Sequence, residues 1–295
     1  MKKFKNPILD GIADPDVIYH NGKYYLYGTS YNTNSHNYEV YTSTDLVNWE
    51  KNGEILGDAW GYKNAYWAPD IKEKDGKFYM LVTVSEHLGL AIADDPMGPF
   101  VPQEGFLFDH SIDGHIFFEG DDMYIYYVSW RDGHKYAIYG CKMKEDRITP
   151  DLSTEKLIYE HEHDYERHQA GVVEAPYMLK KDGVYYLTYS ACHFESPFYC
   201  VCYGTSNSPL GDFVKYEGNP ILVGDGKTVS GAGHHCITTS PDGSEMFIIY
   251  HTHYAPGTIH PRRLAIGGIR FEEKDGKTIL TCDTPDTEEH DYPLG

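Results

Sequence analysis

Three acidic residues far apart in the chain, Asp14, Asp113 and Glu174, stand at comparable places in a repeated pattern. Asp14 lies in Ala13-Asp14-Pro15-Asp16, Asp113 in Asp113-Gly114-His115, and Glu174 in Glu174-Ala175-Pro176. Each cluster runs through a few mostly apolar residues and a turn into a Tyr- and Phe-rich strand that breaks at Ser, Thr or His. Taken singly, each acid has a structural explanation, because Asp-Pro starts turns and a carboxylate at a strand entry caps nearby amides. Taken together, three like charges gathered at one edge would cost stability unless they serve chemistry. The chemistry they suit is hydrolysis of a glycosidic bond. One carboxyl donates a proton to the leaving oxygen, and a second, ionised, attacks or activates water. A third acid close by raises the donor's pKa by repulsion and keeps it protonated near neutral pH.

What must position these acids is a repeat. Two more clusters follow the same pattern, Trp67-Ala68-Pro69-Asp70 and Gly233-His234-His235, which makes five. A period of about 45 to 60 residues carrying only strand signals is that of a propeller blade. The first repeat divides into four strands, Asp16 to His20, Tyr24 to Thr29, Tyr38 to Ser43 and Trp49 to Leu56, with the Asn21-Gly22 hairpin signal between the first two. Asp75-Gly76 and Asp182-Gly183 repeat that signal, while Gly120-Asp121-Asp122 and Pro241-Asp242-Gly243 stand at the matching turns of the third and fifth repeats. Helical periodicity is nearly absent, and no linker divides the chain. The expectation is an all-β fold, a five-bladed β-propeller with four antiparallel strands per blade, forming one catalytic domain over residues 1–295. Blades arranged around an axis would converge their leading clusters, and with them the three acids, on one central pocket.

Composition narrows the partners. The formal charge of -20 argues against nucleic acid and against an anionic membrane surface, since binding phosphates needs clustered Lys and Arg. The 27 tyrosines suit half-buried strands and polar ligand pockets. No stretch approaches a membrane span, and Met1 to Pro7 is basic without the apolar run of a secretion signal, so a cytoplasmic protein is expected. The six cysteines form no CxxC pair and read as free thiols.

The clusters in order, Ala13-Asp14-Pro15-Asp16, Trp67-Ala68-Pro69-Asp70-Ile71, Ser111-Ile112-Asp113, Val173-Glu174-Ala175-Pro176 and Gly231-Ala232-Gly233-His234, resemble glycoside hydrolase family 43. That family consists of five-bladed propellers acting on arabinose- and xylose-containing glycans. The resemblance runs from about Asn6 to about Phe271. It implies Asp14 as general base, Glu174 as general acid, and Asp113 as the residue that tunes the acid and orients the sugar. It also implies inversion at the anomeric carbon, with an exo-acting α-L-arabinofuranosidase or β-xylosidase as the first expectation; with no export signal and no appended carbohydrate-binding domain in view, soluble oligosaccharides are the expected substrate. An endo-arabinanase and a non-catalytic sugar-binding propeller are the competing expectations. No cofactor is required. His234 matches an axial position that contacts water or a cation, which makes it a candidate ligand, through water, of a calcium ion in the central channel.

Among the other residues, Trp67 is placed to form an aromatic wall for a sugar ring, and Arg263, with Arg262 an equal candidate, to anchor a substrate hydroxyl or Glu174. Asp70 matches Asp16 in register and reads as a partner of backbone amides. Glu174 stands one position earlier than Asp14 when the clusters are aligned on Pro15 and Pro176. His251 and His253 have strand spacing and are candidate rim residues. The run from His161 to His168 looks metal-like, but its mixed charge reads as a solvated excursion.

Overall fold

The structure is a computed structural model that describes residues 2–30, 38–56, 59–62, 65–131 and 133–293. Type I′ turns at Asn21-Gly22, Asp75-Gly76 and Asp182-Gly183 have positive φ at both central residues, and they fold each leading strand back on the next. Five antiparallel blade sheets follow, beside a two-stranded sheet of Lys3–Lys5 and Glu289–Asp291. Blade one is Ile12–His20, Lys23–Ser30, Glu39–Ser43 and Glu50–Glu54; blade three is Ser111–Glu119, Asp122–Ser129, Ala137–Met143 and Pro150–Tyr159. Blade two runs Tyr66–Lys74, Lys77–Val84 and His87–Ala93, and blade four Val173–Lys181, Val184–Ala191 and Cys200–Ser206. In these two the fourth position is split between short strands, Val101–Pro102 with Phe108–Asp109, and Val214–Lys215 with Leu222–Val223.

Blade five is Gly233–Thr239, Met246–Thr252 and Arg263–Lys274, and its fourth position is shared. Lys277–Cys282 covers one end of the third strand, and the N-terminal Leu9–Asp10 pairs with Leu264 and Arg263 at the other. The ring therefore closes by the chain's beginning joining its last blade. Apolar clusters fill the spaces between blades: Tyr27, Tyr38 and Val40 of the first pack on Ile71, Phe78 and Met80 of the second.

One irregularity recurs in every blade. The first strand holds one extra residue against the second, between Ala13 and Asp16, Trp67 and Asp70, Ile112 and His115, Glu174 and Tyr177, and Gly233 and His235. At each bulge a non-glycine residue is left-handed: Asp14 (φ 48), Ala68 (φ 41), Asp113 (φ 53), Ala175 (φ 51) and His234 (φ 45). Such backbone is strained and persists where its surroundings over-determine it. Here they do, because each bulge amide is captured by a neighbouring blade. Ala68 N donates to Thr29 Oγ1 (2.8 Å), Asp113 N to Thr83 Oγ1 (3.0 Å), His234 N to Ser190 Oγ (2.8 Å) and Asp14 N to His251 Nδ1 (3.3 Å). The fifth, Ala175 N, donates instead to the Asp113 carboxylate (3.3 Å). The Ser, Thr and His at which the second strands break are thus the acceptors that pin the bulges. Pro15, Pro69 and Pro176, which lack a donor, sit inside the bulges where no ladder bond is lost.

Candidate active site

The bulges face one end of the axis and open a cavity of about 370 Å³ lined by Asp14, Trp67, Asp113, Glu174, His234 and Arg262. Trp130, Tyr136, His193, Phe194 and His260 complete its walls from loops between strands. The one-position offset of Glu174 has a geometric explanation. Ala175 is the left-handed residue of its bulge, and Glu174 stands immediately before it, as Trp67 stands before Ala68. The longer Glu side chain enters the pocket from that earlier place. Asp113, Glu174 and His234 each bring one atom within 4.8 Å of the others.

The carboxyls have unequal environments. Asp14 is held by Arg262 in a bidentate pair, Nη1 to Oδ1 at 2.7 Å and Nη2 to Oδ2 at 3.1 Å. His234 Nδ1 and His251 Nδ1 both lie 3.2 Å from Asp14 Oδ1. Burial alone would raise this carboxyl, but the Arg262 guanidinium holds it well below the usual carboxylate range. Glu174 has no such cation in contact. Burial raises it to about 7, with the Tyr199 hydroxyl bond opposing and the Asp14 charge adding to the rise. Asp113 is also pushed up, by burial first and then by the Glu174 and Asp14 charges. Its Oδ2 accepts the amide of Ala175, the residue after Glu174, so it braces the backbone that carries Glu174. Burial lowers the pKa of His234, and pushes that of His251 down to about 3, so both imidazoles are neutral at physiological pH.

The arginine on the pocket wall is Arg262, and Arg263 is not there. Arg263 lines a separate crevice with Thr228 and Ala255, and its guanidinium stands 5.0 Å from the Tyr254 ring centroid. Neighbouring residues at the start of an extended strand point to opposite sides, so only one of the pair can enter. His251 is not a rim residue either: it is fully buried beneath Asp14, while His253 bonds Ser230 and the Phe194 carbonyl. In the run from His161 to His168, Glu166 is fully buried and accepts the amides of Glu162 and His163, the Tyr189 hydroxyl and Lys215 Nζ. That segment is a structural knot.

The axis beneath the acids leaves little room for a calcium ion, and the residues of the pocket that could hold one are Asp113, Glu174 and His234 above it. Calcium takes roughly 6 to 8 oxygen ligands. The axial space bounded by Asp16, Asp70, Asp113, His234 and His235 is about 20 Å³, enough for about one water. The carboxylates at its lower side already hold an ammonium, with Lys72 Nζ 2.8 Å from Asp70 Oδ1 and 3.3 Å from Asp16 Oδ1. Their remaining oxygens accept the amides of Ile71 (2.7 Å, from Asp16) and Ile116 (2.9 Å, from Asp70), so both acids tie one blade to the next.

Residues 4–277 match the model of Glycosyl hydrolases family 43. The chain belongs to glycoside hydrolase family 43. It is 28% identical over 300 residues to the "Beta-D-galactofuranosidase xynD" of Aspergillus niger, covering 92% of this chain and 83% of that protein. It is likewise 28% identical over 332 residues to a "Xylosidase/arabinosidase" of Bacteroides ovatus, covering 95% and 98%. The crystal structure of a thermostable family-43 glycoside hydrolase superposes with a TM-score of 0.89 at 34% identity, covering 99% of each chain. As a family 43 member the protein is a glycosidase built on a five-bladed propeller. The pocket residues absent from the sequence reading, Trp130, Tyr136, His193 and Phe194, lie in loops, and Tyr199, buried behind Glu174, stands just before a strand. No repeated position marks them, and aromatic residues near strand ends were the one signal available.

Proposed function

We propose that this family 43 glycosidase is inverting and exo-acting, releasing α-L-arabinofuranose or β-D-xylose from arabinan, arabinoxylan or xylan oligosaccharides. Asp14 is the general base, Glu174 the general acid, and Asp113 orients the acid and the sugar. The observation that carries this reading is the split between two buried carboxyls of one pocket. Asp14 is kept ionised by the Arg262 clamp, while Glu174 keeps its proton to about pH 7. Water deprotonated by Asp14 attacks the anomeric carbon while Glu174 protonates the leaving oxygen. Pushing carboxyl pKa values apart is how acid and base roles are set at one pH. A cavity of about 370 Å³ is at the small end of ligand sites and suits a chain end more than a chain's middle. The relatives named xylosidase/arabinosidase and galactofuranosidase support a pentose or furanose glycone.

Proton NMR of the first-formed sugar tests the stereochemistry, with early products from linear arabinan and xylo-oligosaccharides read beside it. Inverted anomer and monosaccharide as the sole early product are expected. Retained anomer would remove the base-activated water, and early di- or trisaccharides would make the enzyme endo-acting.

A further inference from the structure

Glu174 has two carboxyl oxygens, and the fold treats them differently. Oε1 accepts the Tyr199 hydroxyl at 2.7 Å, whereas Oε2 takes no hydrogen bond from the described residues. Tyr199 is held firmly in this place. It is fully buried, its ring stacks on His251 with centroids 5.6 Å apart and planes at 14°, and Gly233 faces it so closely that a Cβ there would lie 2.4 Å from the ring. Burial, followed by the Glu174 charge, pushes the phenol's ionisation well above its usual range, so the hydroxyl keeps its proton. A permanent donor pairs better with the carbonyl oxygen of a neutral carboxyl than with its hydroxyl oxygen.

We propose that Tyr199 is a positioning residue that seats the catalytic proton of Glu174 on Oε2, by holding Oε1 as an acceptor in both protonation states. This rests on the reading of Glu174 as general acid. In the bond-breaking step the Oε2–H bond breaks and the proton passes to the glycosidic oxygen. The C–O bond to the leaving group breaks with its electron pair going to that oxygen, and water that loses its proton to Asp14 forms the new bond at the anomeric carbon. Glu174 is left as a carboxylate with Tyr199 still donating to Oε1. The same stacked ring reaches the other side of the reaction, because His251 beneath it accepts the Asp14 amide. The titratable and charged groups facing Glu174 are Asp14, Asp113, His234 and Arg262 across the pocket, Cys192 from its own blade, and Tyr199.

The test is Tyr199→Phe, assayed on a pentose disaccharide and on a dinitrophenyl pentoside, with kcat/KM followed against pH. On the disaccharide kcat is expected to fall ~10- to 100-fold, and on the activated pentoside less than ~3-fold, since a good leaving group needs little protonation. The alkaline limb of the profile is expected to move up, because a bond favouring the carboxylate is lost. Gly233→Ala, which displaces the ring and keeps the hydroxyl, is expected to give the same split and carries the test if Tyr199→Phe does not fold by circular dichroism. Equal losses on both substrates with an unmoved alkaline limb overturn the proposal and leave Tyr199 a packing residue. Glu174→Ala run alongside separates the two levels. If it shows the leaving-group split while both other variants do not, only the role of Tyr199 falls; if it shows none, the acid assignment falls with it.

Discussion

Asp14 and Glu174 are the same functional group, buried in the same pocket, and they are pushed apart by what touches them. Arg262 is the largest opposing influence on Asp14, and without it the desolvation that raises Glu174 would raise Asp14 too. Arg262→Met is therefore expected to move the acid limb of kcat/KM to higher pH and to lower its plateau at least ~10-fold, the base being protonated where it is now ionised. An unmoved acid limb in the variant would show that the clamp is structural. At this scale the sequence was legible where a residue type recurred at a repeated place, which is how Asp14, Asp113, Glu174, Trp67 and His234 were found. It was not legible where one loop supplies a residue once. Arg262 and Arg263 are adjacent and chemically identical, and only the direction each takes from the strand start separates them.

At the scale of the strand, the bulge is the device that turns ladder positions into a pocket. It rotates Asp14, Asp113 and His234 out of the pleat and leaves their amides to the preceding blade's Thr, Ser or His. Hairpin turns were legible because Asn-Gly and Asp-Gly have only one good conformation between strands. The split fourth strands were not, since edge pairing depends on what the neighbouring loops leave room for. Below the bulges, Asp16 and Asp70 share the Lys72 ammonium, whose side chain is 20% exposed against 3% and 8% for the two acids. Removing one partner of a buried ion pair strands the others, so Lys72→Met is expected to cost about 3–5 kcal/mol in urea unfolding. Adding Asp16→Asn and Asp70→Asn should recover part of that loss. A single variant as stable as wild type would mean that the acids reach solvent or lose their charge.

For the molecule as a whole, the site is held at a cost in stability, and the ring that bears it is closed by Leu9–Asp10 on blade five. Glu174 titrates at about 7 when folded against a usual 4.5, so the folded chain binds that proton more tightly than the unfolded one. Stability is then lost as pH rises through that window. Glu174→Gln keeps an acceptor for Tyr199 and has no charge to bury. It is expected to melt at least ~2 °C above wild type at pH 8, with the gap closing toward pH 5. A gap independent of pH would mean that Glu174 is not raised. The central claim, that Glu174 donates the proton and Asp14 activates the water, is tested most directly by aryl arabinosides and xylosides of graded leaving-group pKa, given to wild type, Glu174→Ala and Asp14→Ala. Wild type should cleave at least one series. Glu174→Ala should lose ~10²- to 10⁴-fold on poor leaving groups and far less on good ones. Asp14→Ala should lose activity across the whole series. A wild type that binds pentose oligosaccharides and cleaves none of the panel, or a Glu174→Ala loss that ignores the leaving group, would contradict it.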